Sequence, residues 1–272
     1  MQASTFKRTL AAVSITVLAM ASAQAAPTTL IYINSSSGAL YSYDASAAYA
    51  ELLVNASTGA FSISSGPLAN TLYIQSGGGS LSTYNLVSNV QTTVGGSVPG
   101  NALGEGRDGL LYAGSGVGLY SVNPLTGSST LVGGGSFGYA GDIAVDPTNL
   151  TAMYGAVTTS SGVALALVNK STGAQSLVGS FGVAGDIFGL GFSLDGTLYA
   201  AGPGGGSTGS IYTIDKTTGA ATKVRSLSYQ PYDMATQPFE SNEPNPVPEP
   251  ATIALMGMAL AGLGLSIRRR KP

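Results

Sequence analysis

Asn101, Asp142, Asp186 and Asp233 each stand at or near the start of a short apolar run, and three of those runs lie a few residues before a tyrosine. If the runs occupy equivalent places in a repeated fold, the four side chains converge on one spot. Gathered there, they could coordinate a hard cation such as Ca²⁺ through oxygen ligands. They could also hydrogen-bond the hydroxyls of a sugar, or supply the acid and base of glycoside hydrolysis. A structural role competes with all three and is the preferred reading: each side chain accepts backbone amides from a neighbouring repeat and locks the two together. The chain contains no histidine and no cysteine. That composition excludes Ser-His-Asp and Cys-His catalysis, His-based zinc or copper sites and thiol redox chemistry. The run Gly202-Pro203-Gly204-Gly205-Gly206 lacks the Gly-Lys-Ser/Thr ending of a phosphate loop and reads as a loop between two strands.

The elements that must position these residues follow from an internal repeat. Tyr32, Tyr73, Tyr112, Tyr154 and Tyr199 recur at intervals of 41, 39, 42 and 45 residues, the period of a propeller blade. Each is followed by a Gly/Ser-rich turn and a second apolar run ending in Asp44, Asn85, Asn123, Asn169 or Asp215. A third run follows, clearest as Thr130–Gly133 and Ser176–Gly179, and another precedes the tyrosine as Asn101–Gly104, Asp142–Val145 or Asp186–Phe192. Four short strands per period describe a β-propeller blade. Asn123-Pro-Leu-Thr-Gly127, Asn169-Lys-Ser-Thr-Gly173 and Asp215-Lys-Thr-Thr-Gly219 read as hairpin turns. In them the Asx side chain binds turn amides and glycine supplies the positive φ. Asn55-Ala-Ser-Thr-Gly59 fits the same turn out of phase, and the first two repeats lack the Thr-Gly pair after Asp44 and Asn85.

The expected fold is therefore all-β: a five-bladed β-propeller of residues 26–239, closed by pairing of Tyr232–Thr236 with Thr29–Ile33 and Ala39–Tyr43. The acidic groups would then gather at one mouth of the channel. Six of the eleven basic residues are Lys7, Arg8 and Arg268–Lys271, leaving five in the body against thirteen acidic ones, a net −8. Such a surface excludes nucleic acid as a partner.

Both ends of the chain carry addresses. Lys7 and Arg8, the apolar Leu10–Met20 and the small-residue site Ala23-Gln24-Ala25 read as a signal peptide over residues 1–25, with Ala23 and Ala25 marking cleavage. At the other end, a linker over 240–246 leads to Val247-Pro248-Glu249-Pro250. An uncharged stretch, 251–267, and a basic tail over 268–271 containing Arg268, Arg269 and Arg270 complete it. At ~1.5 Å per residue the uncharged stretch is about 25 Å long as a helix, at the short limit for a transmembrane span, and the basic tail orients it with the C-terminus in the cytoplasm. The prolines keep the Glu249 region extended at the outer face. A signal helix at one end and a transmembrane helix at the other are thus expected outside the propeller.

The Val-Pro-Glu-Pro signal, apolar segment and basic stop together resemble the PEP-CTERM sorting domain of Gram-negative bacteria, over residues 247–272. The resemblance implies a membrane protease of the exosortase type as processing partner, transient residence in the inner membrane, delivery to the cell surface or beyond, and a link to exopolysaccharide. The functional expectation is an exported, non-enzymatic envelope protein with no cofactor, Ca²⁺ remaining the open possibility. Five-bladed propellers include glycosidases, so a carbohydrate-active enzyme using the channel-mouth carboxylates is the alternative, although such sites are usually lined by tryptophan and this chain has none. A protein-interaction scaffold is a further alternative, by fold analogy alone.

Overall fold

A computed structural model describes residues 29–202 and 208–236. The signal peptide, the linker, the sorting segment and Pro203–Gly206 of the glycine run lie outside the described residues. Among the described residues twenty strands form five four-stranded antiparallel sheets. The first blade joins β1 (Leu30–Ser35), β2 (Leu40–Asp44) and β3 (Ala50–Asn55) to β20 (Pro231–Thr236), which is its innermost strand. Blades two to five are continuous in sequence. They are β4 (Ala60–Ser64), β5 (Thr71–Ser76), β6 (Leu81–Asn85) and β7 (Val90–Gly95); β8 (Ala102–Glu105), β9 (Leu111–Ser115), β10 (Gly118–Val122) and β11 (Ser129–Gly134); β12 (Gly138–Val145), β13 (Met153–Thr159), β14 (Gly162–Val168) and β15 (Gln175–Ser180); and β16 (Gly189–Phe192), β17 (Leu198–Gly202), β18 (Ser210–Ile214) and β19 (Ala221–Ser226).

Closure is by the expected strand. β20 pairs antiparallel with β1 in the register Ile31↔Thr236, Tyr32↔Ala235, Ile33↔Met234. Burial shows the same ring. The core divides into five clusters, one between each pair of adjacent blades, and the last joins Ile31, Ile33 and Met234 of the first blade to Tyr199, Ala201 and Ile211 of the fifth. The repeated tyrosines sit in or against these seams, their rings covering apolar area that no single blade could bury alone.

Two devices recur around the ring. In the hairpin turns the Asx side chain accepts turn amides, as Asn123 does from Leu125 at 2.8 Å, and Gly127, Gly173 and Gly219 adopt positive φ. Each outermost strand carries a β-bulge, and the skipped residue is always a valine: Val54, Val94, Val132, Val178 or Val224. The bulge turns that valine onto the adjoining core cluster and breaks the regular edge that would otherwise pair with another chain.

Two expectations need correction, and the two repeats without Thr-Gly find their own turns. Asn55–Gly59 is not a displaced hairpin turn; it connects β3 to β4 and so passes between blades. In the first blade Asp44 instead caps a short 3-10 turn, and in the second the turn after Asn85 is closed by Asn89 at φ 57°, an asparagine doing what Thr-Gly does elsewhere. The strand expected over Asp186–Phe192 contains only Gly189–Phe192.

Candidate functional site: the channel and its aromatic mouth

The five innermost strands, β20, β4, β8, β12 and β16, surround the axis, and their pairing with the second strands fixes the height of each residue along it. Ala235, Ser64, Gly104, Ala144 and Gly191 lie opposite the five repeated tyrosines. Two residues earlier in each strand stand Asp233, Ser62, Ala102, Asp142 and Gly189. Asp142 and Asp233 therefore occupy equivalent positions, as expected. Asn101 and Asp186 do not: Asn101 falls one residue before that level and Asp186 three before it, on the exposed loop leading into β16. The misplacement has a simple origin, because the sequence reading aligned the starts of apolar runs while backbone pairing aligns the strands.

Asp142 and Asp233 are almost completely buried. One Asp142 oxygen accepts the amides of Leu103 (3.1 Å) and Ile143 (2.7 Å), and the other accepts that of Leu190 (3.2 Å). Three neighbouring blades thus meet on one carboxyl group. One Asp233 oxygen accepts the Ser62 hydroxyl and the Ile63 amide (2.8 Å), and the other accepts the Met234 amide (2.9 Å). Burial, and then the negative charge of Asp233, push the Asp142 carboxyl well above the usual carboxylate range. Burial likewise pushes Asp233 up to about 8, against the Ser62, Ile63 and Met234 donors and a hydrogen bond with Asp142. Both shifts favour the neutral, protonated form of the two groups.

Such a pair can join blades. It does not fit Ca²⁺, which needs a cluster of ionised oxygens turned toward one point, whereas all four oxygens here face N–H and O–H donors. Among the described residues no three His, Cys, Asp or Glu side chains are gathered to hold a metal ion.

Below the pair the channel narrows to a cavity of about 20 Å³, room for one water molecule, with Ser65, Glu105 and Arg107 in its lining. Burial raises the pKa of Glu105 and lowers that of Arg107 to about 10. Further charges lie at this end: Lys216 and Asp146 form an ion pair at 2.6 Å, and Lys170 and Asp108 one at 3.1 Å. Leu30 and Thr236, near the two ends of the domain, open onto this same charged end.

The opposite mouth differs in every respect. One level above the carboxylates lie Tyr232, Phe61, Asn101, Gly141 and Phe188, one from each innermost strand or the residue leading into it. These five residues line a cavity of about 220 Å³. Phe61 and Tyr232 are 41% and 40% exposed and meet edge to face, with ring centroids 6.5 Å apart. Asn101 donates to the Ala140 carbonyl at 3.3 Å. Gly141 is required by a close approach: a Cβ there would lie 2.5 Å from the Phe188 carbonyl oxygen. The sequence reading reached Asn101 for the wrong ring and missed the aromatics, whose only signal is an aromatic immediately before the polar residue in Phe61-Ser62 and Tyr232-Asp233.

Comparison with known proteins bears on the tail and on the fold separately. Residues 246–270 match the PEP-CTERM protein-sorting motif. The chain carries a PEP-CTERM sorting motif. The match takes in Val247, Pro248, Glu249, Pro250 and Arg268–Arg270, the residues singled out from sequence. The PEP-CTERM motif marks the chain for export and membrane-anchored sorting, and implies an exosortase as the enzyme that processes it. No curated protein matches the chain. Among solved structures, a chain of the nidogen/laminin complex superposes with a TM-score of 0.51 at 9% identity, covering 79% of this chain and 99% of its own length, which is a likeness of fold alone. Hydrazine synthase of Kuenenia stuttgartiensis (TM-score 0.44, 21% identity, 62% of this chain) and TolB of Acinetobacter baumannii (0.49, 14%, 75%) also match. This chain spans about half of each of them, 49% and 54%.

Proposed function

We propose that the protein is an exported, non-enzymatic envelope component in which a closed propeller is carried to the cell surface by a removable sorting tail and associates there with exopolysaccharide. The observation that carries this reading is the completion of the ring by β20. The propeller ends its own fold at Thr236, ten residues before the sorting motif begins at residue 246, so the tail can be detached without opening a blade. In this reading residues 1–25 are removed after Ala25, residues 251–267 hold the precursor in the inner membrane, and processing occurs near Glu249. A non-enzymatic role is supported by the surroundings of Asp142 and Asp233, which are buried and bound to backbone donors.

Mass spectrometry of the mature protein tests the delivery route. A species beginning near Ala26 and ending near Glu249 or Pro250 is expected, whereas a mature form that retains Arg268–Lys271 overturns processing. The non-enzymatic part is tested by incubating the full-length protein with a panel of polysaccharides. Release of reducing ends that disappears in Asp142→Asn and Asp233→Asn variants would establish the carbohydrate-active alternative instead.

A further inference from the structure

The two ends of the channel present opposite chemistries. The charged end holds Glu105, Arg107, Asp108, Asp146, Lys170 and Lys216. At the aromatic mouth, the described loops leading into the innermost strands, and those joining each second strand to the third, contain one charged residue, Asp186. They are otherwise built of Gly, Ser, Thr, Asn, Gln and apolar residues, as in Ser35-Ser36-Ser37-Gly38 and Ser76-Gly77-Gly78-Gly79-Ser80.

The mouth therefore offers aromatic faces, an amide and hydroxyls, with almost no charge to steer or neutralise an ion. In the described loops of the mouth an anionic ligand would find no cation, and a cationic one only Asp186 on the rim. A purely apolar ligand would displace water from Asn101 and the surrounding hydroxyls and offer them no hydrogen bond in return. What satisfies all of these at once is a molecule with an apolar face and a belt of neutral hydroxyls. A sugar ring is such a molecule: its C–H face packs on an aromatic ring while its hydroxyls point outward to polar groups. The volume agrees. Pockets for drug-sized ligands run to about 300–1,000 Å³, and 220 Å³ accommodates a single ring rather than an extended chain.

We propose that Phe61, Phe188 and Tyr232, with Asn101, form a binding site for one uncharged sugar residue of a glycan, entering at the mouth of the channel. This rests on the reading of the propeller as an exopolysaccharide-associating module and names where on it the polymer is held. The orientation supports it: Thr236, from which the tail departs, lies at the opposite end of the channel, so the mouth stays open while the chain is tethered. Phe61 and Tyr232 supply the stacking faces because they are the ring members with large exposed surface. Asn101 and the Tyr232 hydroxyl are the hydrogen-bonding groups at the rim.

Isothermal titration of the purified full-length protein in detergent against neutral tetrasaccharides of glucose, galactose, mannose and N-acetylglucosamine, with an oligouronate as charged comparator, tests the site. At least one neutral probe should bind. Phe61→Ala or Tyr232→Ala should weaken it about tenfold, the loss of one aromatic contact, and the double variant should abolish it. Phe61→Tyr should retain binding, and the melting temperature of each variant should match the native protein because both rings are partly exposed. Undiminished binding by the double variant, or binding of the oligouronate alone, overturns the proposal. Co-sedimentation with extracted extracellular polysaccharide separates this failure from failure of the wider reading. If the native protein and the double variant retain the polymer equally, the mouth is not the site but the association stands. If neither retains it, both fall.

Discussion

The Asp142–Asp233 pair makes the fold sensitive to pH in a predictable direction. Both carboxyls have folded-state pKa values raised above the unfolded one, so the folded chain binds more protons than the unfolded chain between about pH 4 and the raised values. Their contribution is most favourable below pH 4 and is progressively lost as pH rises through about 8. Thermal melts should accordingly show a lower midpoint at pH 9 than at pH 6, and Asp233→Asn, which has no proton to lose, should flatten that decline. A midpoint that climbs across this range would mean that the pair is ionised and paired with a cation. Of the four polar residues read from sequence, these two were legible because a carboxylate directly before an apolar run is rare in so weakly charged a chain. Asn101 and Asp186 were misaligned because loop length before a strand varies, and only the hydrogen-bond register with the repeated tyrosine fixes where the strand begins.

Elements in this molecule were legible where backbone chemistry dictates residue type. The tyrosine period gave the second strand of every blade, and the Asx and Thr-Gly residues gave the hairpin turns of the last three. The bulge valines escaped notice, although Val54, Val94, Val132, Val178 and Val224 recur almost as regularly, because a bulge has no turn residue to announce it. Neighbouring glycines make the outer strands intolerant of added bulk. A Cβ on Gly133 would lie 2.0 Å from the Thr172 carbonyl oxygen of the next blade, and one on Gly179 would lie 2.1 Å from that of Thr218. Gly133→Ala and Gly179→Ala should each cost about 1–3 kcal/mol, from the backbone shift that relieves the contact, measurable by chemical denaturation. A loss under half a kilocalorie, within the range of ordinary surface substitutions, would show that the outer strands slide freely past one another. Val132→Asp, by contrast, places a charge against the seam holding Leu119 and Val168, and should lower stability while also reducing soluble yield.

At the scale of the whole molecule, closure makes the first and fifth blades interdependent. Truncation after residue 239 should leave the melting temperature unchanged, whereas truncation after Tyr229, which removes β20, should abolish cooperative unfolding because Ile31, Ile33, Tyr199 and Ile211 lose Met234 from their shared cluster. Equal stability of the two truncations would show that the ring closes without its last strand. Closure was legible because Tyr232–Thr236 reads as a blade's first strand with no blade to follow. The pairing of β20 with β1 also decides how the domain responds to force. A pull on the tail enters along the axis of β20, and the hydrogen bonds to β1 run perpendicular to that strand. They are therefore loaded together, in shear, instead of being opened one after another like a zipper. While the tail is held, as in a membrane-anchored precursor, the strand under tension is also the innermost of its sheet, so tension meets the one strand that closes the ring.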